Sequence, residues 1–469
     1  DCPKHLLGDF AFAIWDKRRE ILFCARDHFG VKPFYYYSDN NTFAFGSEIK
    51  AIFCLPEVPR EVNEVRIGDY LIKNFDDTTI TSYQNILRLP AAHSMKVSSA
   101  GIKIQNYWKL DPQKEIRLNS DEEYAQEFRR IFTEAVRCRL RSALPVGSLL
   151  SGGLDSSSIT SVARKILAPE GKILDTFSAI FDKNTECDER KFINAVLDGG
   201  NLNPHYVHGD ERTPLSDIEK ILWYQDEVFF APGLPIMSWG LYDATNKEGV
   251  RVLLDGHDGD GVVSHGYGYL HELALQGRWL ALFTEIQGVS KIYSQSSWET
   301  FWLYFYNYGM NSFCQKPFKL LRRLRKALRG RFSKGISESN QSEILSQWSN
   351  NINPEFMQRI NLEERYSKFQ QHEISSTNCK TEHYKTITSG LQIYALEVLD
   401  KAAAAFSIEQ RYPFWDKRLV EFCLAIPAEQ KLNKGWSRMI MRRAMNNILP
   451  VEVQWRTSKA DFTPNLSHT

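Results

Sequence analysis

The sequence lacks long hydrophobic runs, closely spaced cysteines and a marked excess of charge of either sign. No apolar run approaches the roughly 20 residues of a membrane-spanning helix, so we expect no membrane partner. The eight cysteines are scattered without a C-x-x-C pair, which argues against a structural zinc site and is typical of reduced thiols in a cytoplasmic protein. The net charge of +1 provides no global attraction for a nucleic acid.

The first part of the chain is rich in short strand-like segments. The chain starts at Asp1 and enters such a segment at once, without a signal peptide, so we expect that the beginning of a domain is missing. We predict a β-rich domain over residues 1–110, followed by a polar linker. Its predicted strands cover residues 10–15, 21–25, 34–37, 42–45 and 69–73.

The remainder of the 469 residues alternates strands with helices, and the length suggests two or three domains. Ser120 followed by Glu123 is typical of a helix N-cap, with apolar residues at helical spacing behind it. We predict an α/β fold over residues 120–469: a doubly wound parallel sheet, followed by a helical C-terminal part from about residue 270. The predicted elements are strands at 146–149, 175–181, 205–207 and 251–254 and a helix at 188–197.

Residues 316–334 are strongly basic and carry apolar side chains at helical spacing. This pattern predicts a basic amphipathic helix. We favour a solvated surface helix, and a docking surface for an acidic peptide or partner is the alternative.

The most informative segment is the Ser-Gly-Gly-Leu-Asp-Ser-Ser run within residues 150–158. A predicted buried strand precedes it and a predicted helix opening at 159–163 follows, a setting in which backbone N–H groups and a helix dipole bind an anion. Gly152 and Gly153 let the backbone approach a phosphate closely, and Asp155 can hold Mg²⁺. The chain has no kinase-type phosphate loop. A plain serine–glycine turn is the alternative interpretation.

This segment resembles the pyrophosphate-binding loop of the N-type ATP pyrophosphatases, which cleave ATP between the α and β phosphates. Residues 26–36 and 45–51 resemble the second half of the class II glutamine amidotransferase domain, an Ntn-type domain in which an N-terminal cysteine attacks glutamine. Cys2 is followed by Pro3 and is not the first residue, so we do not expect it to be that nucleophile. No glutaminase residue is assigned.

The two segments in this order resemble the asparagine-synthetase family, and similar segments at 399–403, 408–416 and 456–459 extend the resemblance over nearly the whole chain. The resemblance implies ATP and Mg²⁺ as cofactors, with Asp155 and Asp260 as metal ligands. It also implies Lys459 as the cation that stabilises the oxyanion of amide formation, where a surface lysine of the tail is the alternative. The implied ATP contacts are Leu149, Ser151, Gly152, Gly153, Asp155, Ser156, Ile180, Phe181 and Gly256.

The chain departs from asparagine synthetases in the Asp-Gly-His-Asp-Gly-Asp segment at 255–260. His257 stands where those enzymes have Glu and where the related β-lactam-forming enzymes have a Tyr base. An imidazole with a pKa of about 6.5 is well matched to an α-amine that titrates near 7.7–8.0. Glu397 lies near the position of the carboxylate that orients this base, so we predict a His257–Glu397 dyad. A loop histidine and a helix-surface glutamate are the alternative.

Segments at 257–266, 409–414 and 435–438 are similar to the lasso-peptide cyclases, a branch of this family. The leading hypothesis is an ATP-dependent, AMP-forming ligase that adenylates a side-chain carboxylate of a precursor peptide and closes an isopeptide ring. The expected partners are that peptide or a small carboxylate, and a leader-binding protein or protease.

Three other functions are weighed against this hypothesis. A glutamine-hydrolysing asparagine synthetase is the runner-up and needs an N-terminal cysteine. A tRNA-thiolating enzyme would need a sulfur-carrying cysteine pair. A scaffold protein on an inactive fold is opposed by intact residues of the loops and tail, namely Ser151, Gly152, Gly153, Asp155, Asp260 and Lys459.

Overall fold

The computed structural model describes residues 2–228, 233–293, 296–310, 351–373 and 378–458. The predicted basic helix at 316–334 and the predicted catalytic Lys459 lie outside the described residues. Within the described part of the chain, no helix is both long enough and apolar enough to cross a membrane.

The N-terminal domain contains two antiparallel sheets. One has the strand order β1-β2-β6-β7 and the other has the order β4-β3-β5. A buried apolar cluster that includes Cys24, Met95, Phe34 and Tyr36 draws residues from both sheets, so the core lies between them. The strands are β1 Ala11–Asp16, β2 Ile21–Arg26, β3 Tyr35–Ser38, β4 Phe43–Gly46, β5 Ile86–Arg88, β6 His93–Ser98 and β7 Gly101–Asn106. The helices are α1 Cys2–His5, α2 Ile49–Ile52 and α3 Glu64–Leu71.

The predicted strand at 69–73 is wrong, because its first residues belong to helix α3. The side chain of Asn63 accepts hydrogen bonds from the backbone N–H groups of Val65 and Arg66, at 3.2 and 3.4 Å, and thereby caps the helix. A short apolar run does not distinguish a strand from a helix, and here the upstream cap and the helical hydrogen bonds decide the outcome.

The second domain is built on a five-stranded parallel sheet of order β10-β9-β8-β11-β12. The order reverses between β8 and β11, and in open α/β sheets a ligand binds outside the carboxyl ends of the strands at such a switch point. The strands are β8 Val146–Leu149, β9 Leu174–Ile180, β10 Leu202–His208, β11 Val252–Leu254 and β12 Glu409–Arg411. The helices up to β11 are α4 Asp121–Arg139, α5 Leu154–Leu167, α6 Arg190–Leu197, α7 Ile218–Gln225 and α8 Gly240–Lys247, with a short helical segment Leu234–Trp239 before α8.

The described remainder is mainly helical, as predicted, and it packs on α4 and on the sheet. Ser120 caps α4 by accepting a hydrogen bond from Glu123 N–H at 3.2 Å, which confirms the predicted cap. These helices are α9 Gly259–Val263, α10 Gly268–Leu275, α11 Trp279–Tyr293, α12 Ser297–Tyr304, α13 Pro354–Arg359, α14 Leu362–Glu373, α15 Cys379–Thr388, α16 Gly390–Ala404, α17 Lys417–Ala425, α18 Met439–Ala444 and α19 Val451–Gln454. Two short strands, β13 Leu432–Asn433 and β14 Trp436–Ser437, form a hairpin before α18.

Ion pairs join the N-terminal domain to helix α16. Glu397 is buried and accepts hydrogen bonds from Arg26 Nη2 at 2.6 Å and from Arg88 Nε at 2.9 Å. One turn further along α16, Asp400 pairs with Lys32 Nζ at 2.6 Å. Because three basic residues of one domain meet two acidic residues of the other, these contacts hold the two domains in one relative position.

Candidate active site

The loop between β8 and α5 wraps the N-terminus of α5. Gly152 has φ +71°, and a Cβ atom at this position would lie 2.8 Å from the Cβ atom of Phe192, so only glycine fits. The backbone N–H of Ser151 donates to Ser156 Oγ at 3.2 Å, and the two hydroxyl oxygens are 3.0 Å apart. Helix α5 begins at Leu154, five residues earlier than predicted, so its N-terminal N–H groups face the loop as an anion site requires.

The loop between β11 and α9 lies directly against this first loop. A Cβ atom at Gly256 would lie 2.9 Å from the backbone nitrogen of Ser156, and one at Gly259 would lie 2.9 Å from Asp155 Oδ1. Glycine is therefore required at both positions for the two loops to touch. This contact is what brings Asp155 and Asp260 to one side of the sheet.

A cavity of about 710 Å³ opens at the carboxyl ends of β8 and β11. The predicted residues that line it are Leu149, Ser151, Gly153, Asp155, Ser156, Gly256, His257 and Asp260. Gly152 is absent from that lining, and its carbonyl oxygen instead accepts a hydrogen bond from Arg456 Nη1 at 3.0 Å.

The predicted contacts from β9 need correction, because Ile180 and Phe181 do not line this cavity. Strand β9 contributes Phe177 and Ala179 instead. The Phe181 ring is fully buried against Gly209, where a Cβ atom would lie 2.3 Å from the ring. The alternation of the strand and the packing of Phe181 on Gly209 turn other side chains of this strand towards the cavity.

Asp155, Asp258, Asp260 and Arg438 line the cavity and influence one another's charge. Arg438 Nη1 lies 2.8 and 2.7 Å from the two carboxylate oxygens of Asp155. Burial lowers the pKa of Arg438, but the charges of Asp155 and Asp260 outweigh burial and raise it. Burial, together with the charges of Asp260 and Asp155, raises the pKa of Asp258 to about 7. Sequence reasoning did not assign Arg438 a role, although it lies in the Gly-Trp-Ser-Arg segment that carried part of the resemblance.

The donor chemistry at Asp155 and Asp260 fits Mg²⁺, which takes one or two carboxylates together with phosphate oxygens. Among the described residues, no group of three or more His, Cys, Asp and Glu side chains is placed to hold a metal ion alone. A metal at this site would complete its coordination with phosphate oxygens and water.

A hydrogen-bonded chain holds the backbone at His257. The backbone N–H of His257 donates to Asp255 Oδ1 at 2.9 Å, and Asp255 Oδ2 accepts from Gln410 Nε2 at 2.5 Å. The hydroxyl of Tyr412 donates to Gln410 Oε1 at 2.7 Å. Burial raises the pKa of Asp255 to about 6. Sequence reasoning missed Asp255 and Gln410, and the only signal was the position of Asp255 directly after a buried strand.

The structure does not support the predicted His257–Glu397 dyad. Both carboxylate oxygens of Glu397 are engaged at the domain interface, by Arg26, Arg88 and the hydroxyl of Tyr35. Burial would raise the pKa of Glu397, but the charges of Arg88, Arg26 and Lys401 outweigh it and lower the pKa to about 2. The predicted position of Glu397 is on helix α16, which contributes residues to both cavities at His257, but Glu397 is not among the residues that line them.

The segment that precedes Lys459 is anchored over the first loop. Arg456 forms a close ion pair with Glu189, and its guanidinium lies 3.9 Å from the centre of the Phe192 ring. Thr457 and Ser458 line the cavity. The role of Lys459 stays a prediction.

A doubly wound sheet with a Ser-Gly-Gly loop, a helix N-terminus and carboxylates at the switch point defines a nucleotide-dependent α/β enzyme. The asparagine synthase family model matches residues 127–469, and a glutamine amidotransferase domain model matches residues 1–108. The chain belongs to the asparagine synthase family of ATP-dependent, amide-forming carbon–nitrogen ligases, as the sequence predicts.

Similar proteins include asparagine synthetase [glutamine-hydrolyzing] 3 of Bacillus subtilis, 26% identical over 97% of this chain and 67% of the relative. Asparagine synthetase [glutamine-hydrolyzing] 2 of the same organism is 25% identical over 95% of this chain and 54% of the relative. Amidase chry2 of Gibberella zeae is 28% identical over 55% of this chain and 39% of the relative. The chain thus spans between about half and two thirds of the asparagine synthetases it matches.

Proposed function

We propose that this protein uses ATP to adenylate a side-chain carboxylate of a precursor peptide and joins the acyl group to the peptide's own N-terminal amine, as lasso-peptide cyclases do. The observation that carries the proposal is the shared cavity in which the Ser-Gly-Gly loop, Asp155, Asp260 and His257 meet at the switch point of the sheet. Asparagine synthetases activate a carboxylate in the same way. The two functions differ in the nitrogen nucleophile that attacks the activated carboxyl group.

In this proposal, residues at the start of α5 and in the cavity bind the phosphates during the first half-reaction, which is adenylation of the carboxylate. Backbone N–H groups at the start of α5 bind the phosphates, and Arg438 supplies a fixed cation beside them. The substrate carboxylate attacks the α phosphorus and pyrophosphate leaves, which gives an acyl-adenylate. Asp155 and Asp260 would hold Mg²⁺, which neutralises phosphate charge when bound.

The second half-reaction depends on His257 in this proposal. The amine attacks the acyl carbon and AMP leaves, and the imidazole of His257 accepts the proton that the amine loses. The chain from Tyr412 through Gln410 and Asp255 supports this role, because it fixes the backbone from which the ring extends. Replacing a general base typically costs 10²–10⁴-fold in rate.

The proposal is tested by ATP–pyrophosphate exchange and by mass spectrometry of a synthetic peptide that carries a free N-terminal amine and a side-chain carboxylate. Wild-type protein should release AMP and pyrophosphate and return a peptide lighter by one water. His257→Ala should keep the exchange while amide formation falls by about 10²–10⁴-fold. Asp155→Asn serves as the matched control and should lose both activities. ADP and phosphate as products, or loss of exchange in His257→Ala, would contradict the proposal.

The second candidate is synthesis of asparagine, which the names of the relatives in Bacillus subtilis favour. The same exchange assay with free aspartate decides between the candidates. Aspartate-dependent exchange followed by ammonium-dependent asparagine formation, with no reaction of the peptide, would establish the second candidate.

A further inference from the structure

A second cavity of about 760 Å³ lies between the N-terminal domain and helix α16. It meets the nucleotide cavity at Met237, Ser238, His257 and Leu399, which line both. The remaining walls are mostly apolar and include Phe75 from the N-terminal domain. A compound in this cavity can therefore reach the nucleotide cavity past His257.

The size and lining of this second cavity fit a compound larger than ammonia. A water molecule, which is close to ammonia in size, occupies about 30 Å³. Pockets of about 300–1,000 Å³ hold organic ligands and bury most of their surface. Apolar walls gain free energy by covering apolar groups at about 25 cal/mol per Å². The cavity fits an amine that carries a large apolar body.

The charges at the cavity favour a neutral amine. Among the described residues that line it, Lys73 is cationic and none is a carboxylate. Inside this cavity an ammonium group meets no carboxylate among the described lining residues, and burial favours the loss of its proton. An α-amine has an ordinary pKa of about 7.7–8.0, and the side-chain amine of lysine has one of about 10.4. Deprotonating the α-amine to its reactive neutral form therefore costs less free energy.

The walls are preformed by tight packing between the domains. Phe75 and Tyr394 stack with ring centres 4.5 Å apart. A Cβ atom at Gly390 would lie 1.9 Å from the carbonyl oxygen of Phe75, so helix α16 starts in direct contact with the other domain. The Tyr394 hydroxyl donates to the carbonyl of Val228 at 3.3 Å. A preformed cavity lowers the entropy cost of binding.

The geometry points to this interdomain cavity as the acceptor subsite, which binds the N-terminal segment of a peptide through apolar side chains and delivers its α-amine to His257. The inference rests on the proposed function and locates the site that binds the amine. It assigns the N-terminal domain a direct part in substrate binding through Phe75 and Tyr70.

The test uses leucyl-phenylalaninamide as a probe for the α-amine, with hydroxylamine as a small competitor that needs no cavity. Ala395→Trp fills the cavity from α16, and Ala404→Trp places the same side chain at an exposed site of the same helix. Probe binding is measured by calorimetry, and capture of the acyl group is measured with both nucleophiles. Wild-type protein and Ala404→Trp should bind and use the probe equally well. Ala395→Trp should lower both the affinity for the probe and the rate of acyl capture by the probe at least tenfold. It should leave the rate of hydroxamate formation unchanged.

Leu391→Gln provides a second variant, because half of the Leu391 side chain is exposed and a polar replacement there is compatible with folding. It should weaken probe binding several-fold without changing ATP–pyrophosphate exchange. Equal effects of Ala395→Trp on both nucleophiles, or on neither, would overturn the inference. Better capture by ammonium than by the probe would instead identify an ammonia passage. Absence of exchange in the wild type would refute the proposed function while the binding assay still tests the cavity.

Discussion

At the scale of single residues, Glu397 shows the largest difference between its predicted role and its contacts in the structure. A fully buried carboxylate with two guanidinium partners cannot lose its charge cheaply, because buried Arg26 would then lose its carboxylate partner and buried Arg88 would keep Glu227 but lose Glu397. We predict that Glu397→Gln destabilises the protein by about 3–5 kcal/mol in urea unfolding. The matched control is Asp400→Asn on the same helix, whose partner Lys32 is partly exposed.

The control should cost about 1 kcal/mol, because the Lys32 and Asp400 side chains are 23% and 16% exposed and water replaces part of the lost contact. Equal losses in the two variants would contradict the assigned role of Glu397. Activity should survive in Glu397→Gln at temperatures where the variant stays folded. Loss of amide formation with intact stability would instead restore the predicted dyad.

The residues that sequence reasoning placed correctly share a local cause. Asp155 and Asp260 lie in glycine-containing segments that follow the two short predicted strands β8 and β11, so the ends of the strands could be located. Glu397, Ile180 and Phe181 were misplaced because the side of an element that a residue faces depends on packing with distant segments. Arg438 depends on a hairpin far along the chain and has no local signature.

At the scale of elements, the β8–α5 loop shows how one glycine fixes the phosphate site. We predict that Gly152→Ala lowers ATP–pyrophosphate exchange by about 10²-fold, because the left-handed backbone and the clash with Phe192 displace the loop by about an ångström. The strained backbone should also cost about 1–2 kcal/mol of stability. Exchange kinetics and urea unfolding measure the two effects.

Gly153→Ala is the matched control for this prediction. Gly153 has φ −73°, and a Cβ atom there would lie 3.3 Å from the Ser151 hydroxyl, which can rotate. Exchange should change only a few-fold and stability by less than about 1 kcal/mol. A larger loss in Gly153→Ala than in Gly152→Ala would show that the loop has a different conformation.

Two segments that carried part of the family resemblance contact each other: residues 26–36, and helix α16, which contains residues 399–403. The turn after β2 is held by Asp27, whose carboxylate accepts hydrogen bonds from the backbone N–H groups of Phe29, Val31 and Lys32 at 2.9–3.1 Å. Its neighbours Arg26 and Lys32 then reach α16. Sequence reasoning recognised both elements but had no means to pair them, because no local pattern records a contact across more than 360 residues.

At the scale of the whole molecule, the interdomain contacts link the N-terminal domain to the chemistry. The Arg26, Arg88 and Glu397 cluster and the Phe75–Tyr394 stack lie on the same helix α16 that walls the second cavity. A domain without an assigned glutaminase residue thus still shapes the space beside His257. The fold class of each domain could be predicted from the alternation of strands and helices, whereas this joint cavity arises only when the domains pack.

The same cluster sets how the molecule responds to acid. The pKa of Glu397 is lowered to about 2 in the folded protein, from an ordinary value near 4.3, so its stabilising effect is complete above about pH 4.3 and is lost as the pH falls towards 2. A shift of this size corresponds to about 3 kcal/mol. Asp27 acts in the opposite sense, because burial raises its pKa to about 6. Its charge therefore destabilises the folded state above about pH 6, and this effect fades as the pH falls towards the ordinary value of about 3.9.

A comparison between the wild type and Glu397→Gln isolates Glu397 from Asp27 and every other titrating group that the two proteins share. We predict that the difference in their free energies of unfolding stays constant from pH 8 to about pH 5 and then shrinks towards zero at about pH 2. Urea unfolding across this range, followed by tryptophan fluorescence, measures it. A difference that vanishes already at pH 4 would mean that Arg26 and Arg88 do not hold Glu397 charged. A difference that persists at pH 2 would mean that the glutamine variant is destabilised by poorer packing and not by loss of the negative charge. The contact between the two domains would then depend on packing and not on this ion pair.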